Sequence, residues 1–259
     1  MKIVVIGAGN MATHLTSAIQ KTPFTIIQVY SRSEENARIL ANRLETTWTI
    51  QIHEITPDAD LYIFAVTDNV LPEIIPQIPK NNGIWVHTAG SIPMDIFKGY
   101  VERYGVLYPL QTLSKNRAIN LQTVPIFVEA CSPDDEKWIA EFAGKLSASI
   151  QILDSDKRRF LHLSAVFASN FTNHMYALAY QLLEEQDISP DVLLPLIDET
   201  AAKIHSYSPI NAQTGPAVRN DSDVLNRHIE LLSNREMKEI YQLISKNIYK
   251  ESELFLITK

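Results

Sequence analysis

Gly7-Ala8-Gly9-Asn10-Met11-Ala12 has the G-x-G-x-x-A spacing that lets a backbone cradle a pyrophosphate. Gly7 allows the tight turn, Gly9 has no Cβ to hold a phosphate away, and Ala12 lets the next helix pack close to a sheet. The segment directly follows the apolar run Ile3 to Ile6 and opens an amphipathic pattern over Asn10 to Gln20. That strand-turn-helix context gives the spacing its meaning. A helix starting near Asn10, with Met11 in its first turn, turns free N–H groups and its positive dipole end toward an anion. The bland alternative is a structural glycine turn in some other α/β protein.

Tyr30-Ser31-Arg32-Ser33 ends the next β-rich run, Thr25 to Val29. NAD sites place a carboxylate there to bond the ribose 2′-OH. None stands here. Arg32 can instead hold a 2′-phosphate in a charge-assisted fork, helped by the Ser31 and Ser33 hydroxyls. Ser33, followed by Glu34 and Glu35, also reads as a helix N-cap. The pattern favours NADP over NAD, and it counts against a methyltransferase, whose cofactor presents a ribose diol at that place. Two later strand ends carry polar groups to the crevice of an open sheet. In Ala65-Val66-Thr67-Asp68-Asn69, Val66 and Thr67 are expected along the ribose or nicotinamide half, with Asp68 a rival helix cap. In His87-Thr88-Ala89-Gly90-Ser91, His87 is assigned to the cofactor and Ser91 to the substrate, unless the segment is only a strand-to-helix turn.

The elements that must position these groups alternate. β-rich runs recur at Ile3 to Ile6, Thr25 to Val29, Leu61 to Ala65, Ile84 to His87, Gly105 to Tyr108, Ile126 to Glu129 and Ile150 to Leu153, with a weaker one near Thr49 to Ile52. Helical patterns fill many of the gaps. This predicts an α/β fold, a Rossmann-type doubly wound, mostly parallel sheet over residues 1–153. From Asp154 onward no strand is expected, so residues 154–259 read as an all-helical domain for substrate binding and dimerisation.

Its first pattern, Asp156 to Glu185, predicts one helix on the order of 45 Å long. The helix is apolar nearly all round, which implies burial between domains or subunits. Its polar residues then stand out. Ser169 and Asn173 fall within about 20° to either side of His162 at 100° per residue, with Asn170 and His174 beside the far end of that stripe. His162 is the candidate proton donor and Asn170 its catalytic companion, with Asn173 a substrate contact. The competing view is a polar stripe satisfied inside an interface. A second candidate is the loop Gln213 to Asp221, where Thr214 and Arg219 could meet a substrate carboxylate. It also fits a Gly-Pro turn capped by Asp221 or Ser222.

Bulk properties narrow the classes. The chain has 259 residues and a formal net charge of −7, which disfavours nucleic acid as a main partner. A single cysteine, Cys131, permits no intrachain disulfide. No apolar run reaches about 18 residues, so no membrane span is expected. The first residues are too short for a signal-peptide core. A cytoplasmic protein is the expectation. The seven histidines lack zinc-site spacing, so no metal is expected.

The glycine-rich turn, Ser31-Arg32-Ser33 and Ala65-Val66-Thr67-Asp68 together resemble the superfamily of pyrroline-5-carboxylate reductase and deazaflavin-dependent NADP reductase. The chain is more closely similar to a family with a Rossmann-like domain followed by a helical domain of unknown function. The segments that carry this are His87 to Ser91, Tyr108-Pro109-Leu110-Gln111, Leu163 to Asn170 and Thr214 to Arg219. The resemblance implies an NADP-dependent oxidoreductase, dimeric through its helical domain, and supplies no substrate. Family members often carry His-Pro where Tyr108-Pro109 stands, a departure that counts against a catalytic Tyr108. The expected activity is hydride transfer to a small carbonyl or imine compound. The rival is an NADP-binding sensor or regulatory homodimer without turnover. A polar pocket beside the nicotinamide favours the first, and an apolar, sealed one the second.

Overall fold

A computed structural model describes residues 1–257, in two compact units, Met1–Phe171 and Thr172–Lys259. The first unit holds the sheet. In chain order it runs β1 (Lys2–Ile6), α1 (Asn10–Ile19), β2 (Thr25–Tyr30), α2 (Glu34–Leu44), β3 (Thr47–Thr49), β4 (Leu61–Phe64), α3 (Leu71–Ile74) and β5 (Ile84–His87). It continues with β6 (Tyr104–Pro109), β7 (Ile126–Ala130), α4 (Pro133–Ala143), β8 (Ile150–Ile152) and α5 (Ser155–Ala165). The strand order is β3-β2-β1-β4-β5-β6-β7-β8. Every neighbouring pair is parallel except β6 with β7. The chain crosses from β3 on one edge, past β1, to β4 on the other side. This reversal opens the ligand crevice at the carboxyl ends of β1 and β4.

The central strands are apolar because both faces are covered. Ile3, Val5 and Ile63 pack on one face with Leu15, Ile19 and Phe142 of α1 and α4. Val4, Ile6 and Phe64 pack on the other with Leu71, Trp85 and Phe97. Each such fully buried side chain stabilises the fold by about 1.5–3 kcal/mol. The third strand lies at Thr47–Thr49 rather than near Thr49 to Ile52, where a 3₁₀ turn begins at Ile52. The Thr46 and Thr47 hydroxyls fix it by donating to the Ile26 and Ile27 carbonyls.

The predicted single helix from Asp156 to Glu185 is interrupted. After α5, residues Val166–Phe171 form a π-helical segment, and α6 (Thr172–Glu184) follows in the second unit. The wider i→i+5 turn cannot be read from a 100° pattern, and such segments recur at functional sites. Phe160, Leu163 and Phe167 are 72%, 51% and 61% exposed, because Arg158 and Leu161 supply the face that packs on the sheet unit.

The second unit is all-helical among its described residues, with α6, α7 (Leu194–Lys203), α8 (Pro209–Ala212), α9 (Ser222–Leu231) and α10 (Arg235–Ile257). A 3₁₀ turn at Pro190–Leu193 precedes α7, and Pro195 sits in the first turn of α7, where its missing N–H costs nothing.

Candidate functional site

The turn after β1 shows why Gly7 is required. Its φ is +116°, and a Cβ there would drive into the Ala65 carbonyl at the end of β4. Gly9 is the opposite case, with no atom within 4 Å of an added Cβ. Space therefore lies over Gly9 and the start of α1, as a pyrophosphate needs. A groove of ≈ 480 Å³ runs there. Gly7, Gly9, Asn10 and Met11 line it from the turn, Ser31, Arg32 and Ser33 from the end of β2, and Val66 and Thr67 from the end of β4. Ser33 also caps α2, accepting from the Asn36 N–H at 3.3 Å. Arg32 is exposed, and no carboxylate pairs with it among the described residues. A 2′-phosphate would meet an unspent guanidinium and two hydroxyls there. The residues present fit a phosphorylated dinucleotide.

His87 lies elsewhere than expected. Its ring is 0% exposed and packs on Phe97 at 5.6 Å between centroids, so the side chain is closed off from the groove. Its Nδ1 accepts from the Ala89 N–H at 3.2 Å. Burial, reinforced by the Arg158 charge, pushes its pKa down to about 3. A neutral core histidine is the result.

A second cleft of ≈ 590 Å³ lies at the carboxyl end of β6. Tyr108, Gln111, Thr112, His162, Ser169 and Asn170 are among the side chains lining it. His162 and Asn170 thus come together, with Ser169, across the π-helical segment. Tyr108 Oη lies 3.0 Å from His162 Nδ1. Burial raises the Tyr108 pKa above its ordinary value, the Arg158 charge opposes this, and Asp68 adds to the rise. The phenol therefore keeps its proton at neutral pH. Asp68 is not a helix cap. Its carboxylate accepts from the Ser91 hydroxyl, joining the ends of β4 and β5. Gly90, beside it, lies under His162, and an added Cβ would come within 2.6 Å of the imidazole Cγ and Nδ1.

A buried ion pair sets α5 in place. Arg158 is 0% exposed and pairs with Glu129 of β7. Glu129 also accepts from the Ser155 N–H at 2.8 Å and the Ser155 hydroxyl at 2.7 Å. Arg158 donates to the Ile92 carbonyl as well. One helical turn later comes His162, on the same face. The groove and the cleft share a boundary. Leu113 lines the cleft, and its carbonyl accepts from Asn10 Nδ2 in the groove at 2.9 Å.

The remaining expected contacts, Asn173, Thr214 and Arg219, belong to the second unit. Asn173 is exposed in the first turn of α6. Thr214 lines an apolar cavity of ≈ 360 Å³ with Met175, Leu178 and Tyr241. Arg219 is exposed, and Asp221 caps α9 by accepting from the Val224 N–H at 3.3 Å. Sequence reasoning missed Glu129, Arg158 and Lys115, and it discounted Tyr108. Arg158 lies in the charged run Asp156 to Arg159, where nothing in the sequence marks it out as the buried one. Among the described residues no three His, Cys, Asp or Glu gather as a metal site, and no helix is long and apolar enough to cross a membrane.

Two family models match the chain. Residues 2–86 match the family described as NADP oxidoreductase, coenzyme F420-dependent, and residues 124–248 match a domain of unknown function. Among solved structures, a "putative NADP oxidoreductase" of Bacteroides fragilis is 45% identical, covers 96% of this chain and 98% of its own, and superposes with a TM-score of 0.90. The chain belongs to this NADP oxidoreductase family. NADP is the cofactor of the family. More distant structures share the fold. A pyrroline-5-carboxylate reductase of Streptococcus pyogenes is 13% identical, with 97% and 98% of the two chains covered and a TM-score of 0.64. A reductive aminase of Aspergillus terreus, solved with NADPH and ethyl-5-oxohexanoate, is 16% identical, with 97% and 87% covered and a TM-score of 0.66. No curated protein matches the sequence.

Proposed function

We propose that this family member is an NADPH-dependent reductase of a small carbonyl or imine compound, with His162 as the proton donor. The observation that carries the reading is the Tyr108–His162 pair, 3.0 Å apart in a cleft of mixed polar and apolar lining that borders the dinucleotide groove. The bound cofactor would supply a hydride to the substrate carbon. The oxygen or nitrogen of the C=O or C=N bond then needs a proton. As imidazolium, His162 donates its Nδ1–H to the Tyr108 oxygen 3.0 Å away, which leaves the Nε2 proton as the transferable one. For the step to balance, His162 enters it as imidazolium, is left as neutral imidazole when Nε2 gives up its proton, and then regains a proton from water. Asn170 and Gln111 offer amide donors and acceptors to orient the substrate. At ≈ 590 Å³ the cleft suits a small molecule. The names of the reductive aminase and pyrroline carboxylate reductase relatives support imines as the first class to try.

The same reading takes the chain as a cytoplasmic homodimer, which would cover Phe160 and Leu163 of α5. The test is NADPH consumption with a panel of cyclic imines and keto acids, on wild type and His162→Gln. Turnover with a panel member, reduced about 10²–10⁴-fold in the variant, is expected for a lost general acid. Turnover undiminished in the variant would overturn the role of His162. Tight NADPH binding without turnover of any panel member would favour the sensor.

A further inference from the structure

Residues 110–120 form a loop after β6, in the stretch between the two matched family regions. It is tied to the groove at three places. Asn10 Nδ2 donates to the Leu113 carbonyl at 2.9 Å, and His14 Nε2 bonds the Ser114 carbonyl at 2.9 Å, both from α1. The next residue, Lys115, reaches α2, where its Nζ donates to Asn36 Oδ1 at 2.9 Å. The loop therefore crosses from the start of one helix to the start of the next, over the end of the groove that holds Ser31, Arg32 and Ser33.

Lys115 and Asn36 both line that groove. Asn36 Nδ2 donates to Ser33 Oγ at 3.0 Å, so the amide links the cap of α2 to the ammonium. Among the described residues Lys115, like Arg32, has no carboxylate partner. Glu34 and Glu35 follow Ser33 in sequence but do not line the groove. Two cations thus line one groove with nothing anionic between them, an arrangement that a dianionic phosphate would relieve.

We infer that Lys115 is a specificity-determining residue, which with Arg32 holds the 2′-phosphate of the dinucleotide and selects NADP over NAD. The inference rests on reading the groove as an NADP site. The ammonium exchanges its neutral acceptor, Asn36 Oδ1, for a charged one. The loop latch means the second cation comes from a segment far in sequence from the glycine-rich turn, so cofactor choice is divided between two elements.

The test separates the 2′-phosphate from the rest of the dinucleotide. Adenosine 2′,5′-bisphosphate and adenosine 5′-monophosphate are titrated calorimetrically into the full chain carrying Lys115, Lys115→Met or Lys115→Arg. The bisphosphate is expected to bind wild type more tightly than the monophosphate. Lys115→Met should weaken the bisphosphate about 10-fold, the scale of one charge-assisted contact, and leave the monophosphate unchanged. Lys115→Arg should restore most of the loss. Unchanged bisphosphate binding in Lys115→Met, with wild type still preferring the bisphosphate, would overturn the role of Lys115 and leave the NADP reading intact. A wild type that binds the two nucleotides equally would overturn both.

Discussion

His162 lies over the backbone of Gly90 so closely that an added Cβ would come within 2.6 Å of its Cγ and Nδ1. The ring is thus held between a glycine at the end of β5 and the Tyr108 hydroxyl at the end of β6. Gly90→Ala must push the imidazole away or shift α5. The expected outcome is a folded protein, less stable by about 1–3 kcal/mol, that binds NADPH normally and turns over poorly. Thermal unfolding and nucleotide titration measured side by side check this. Wild-type turnover in Gly90→Ala would show that the position of His162 is immaterial.

Tyr108→Phe keeps the ring and removes one hydrogen bond to His162. A drop in kcat of about 10-fold, with KM little changed, is expected from losing a contact of about 1.4 kcal/mol. Steady-state kinetics on a substrate found in the panel measures it. An unchanged kcat would make Tyr108 a packing residue only.

The Glu129–Arg158 pair is buried at both ends, with side chains 11% and 1% exposed. Glu129→Gln leaves the guanidinium without its counter-charge and should cost about 3–5 kcal/mol of stability. Adding Arg158→Met to that variant should recover part of the loss, because no uncompensated charge then remains. Urea unfolding of the single and double variants checks the order. A single variant as stable as wild type would contradict the role assigned to the pair.

His87 supplies a pH signature. Burial first, then the Arg158 charge, lowers its pKa from 6.5 to about 3. Between those values the unfolded chain takes up a proton that the folded chain refuses. Stability is therefore complete above pH 6.5 and falls on acidification by up to about 1.4 kcal/mol per pH unit. His87→Met lacks this loss. The stability of wild type relative to the variant should decline from pH 6.5 toward 3, and a constant difference would show that His87 titrates normally in the fold.

What the sequence disclosed follows from the range of each interaction. Gly7, Gly9 and Ala12 were legible because a tight turn and close helix packing place demands on adjacent residues. The strands were legible because burial on both faces leaves continuous apolar runs. Ser33 could be read both as cap and as groove lining, since a hydroxyl can accept from an N–H and still meet a ligand. Lys115 with Asn36, Glu129 with Arg158 and Tyr108 with His162 were not legible, because the fold joins them across 79, 29 and 54 residues. His87 misled for a related reason. A polar residue at a strand end reads as a crevice group, and only the packing of Phe97 shows it enclosed. The π-helical segment was hidden because a uniform helical period fitted the apolar pattern through it.

The central claim is that the groove over Gly9 binds NADP and recognises its 2′-phosphate through Arg32. The most direct measurement is titration of wild type and Arg32→Ala with NADPH and with NADH. The predicted result is tighter binding of NADPH by wild type, with most of that preference gone in the variant and NADH binding little changed. Binding of neither nucleotide, or an NADPH preference untouched by Arg32→Ala, would contradict it.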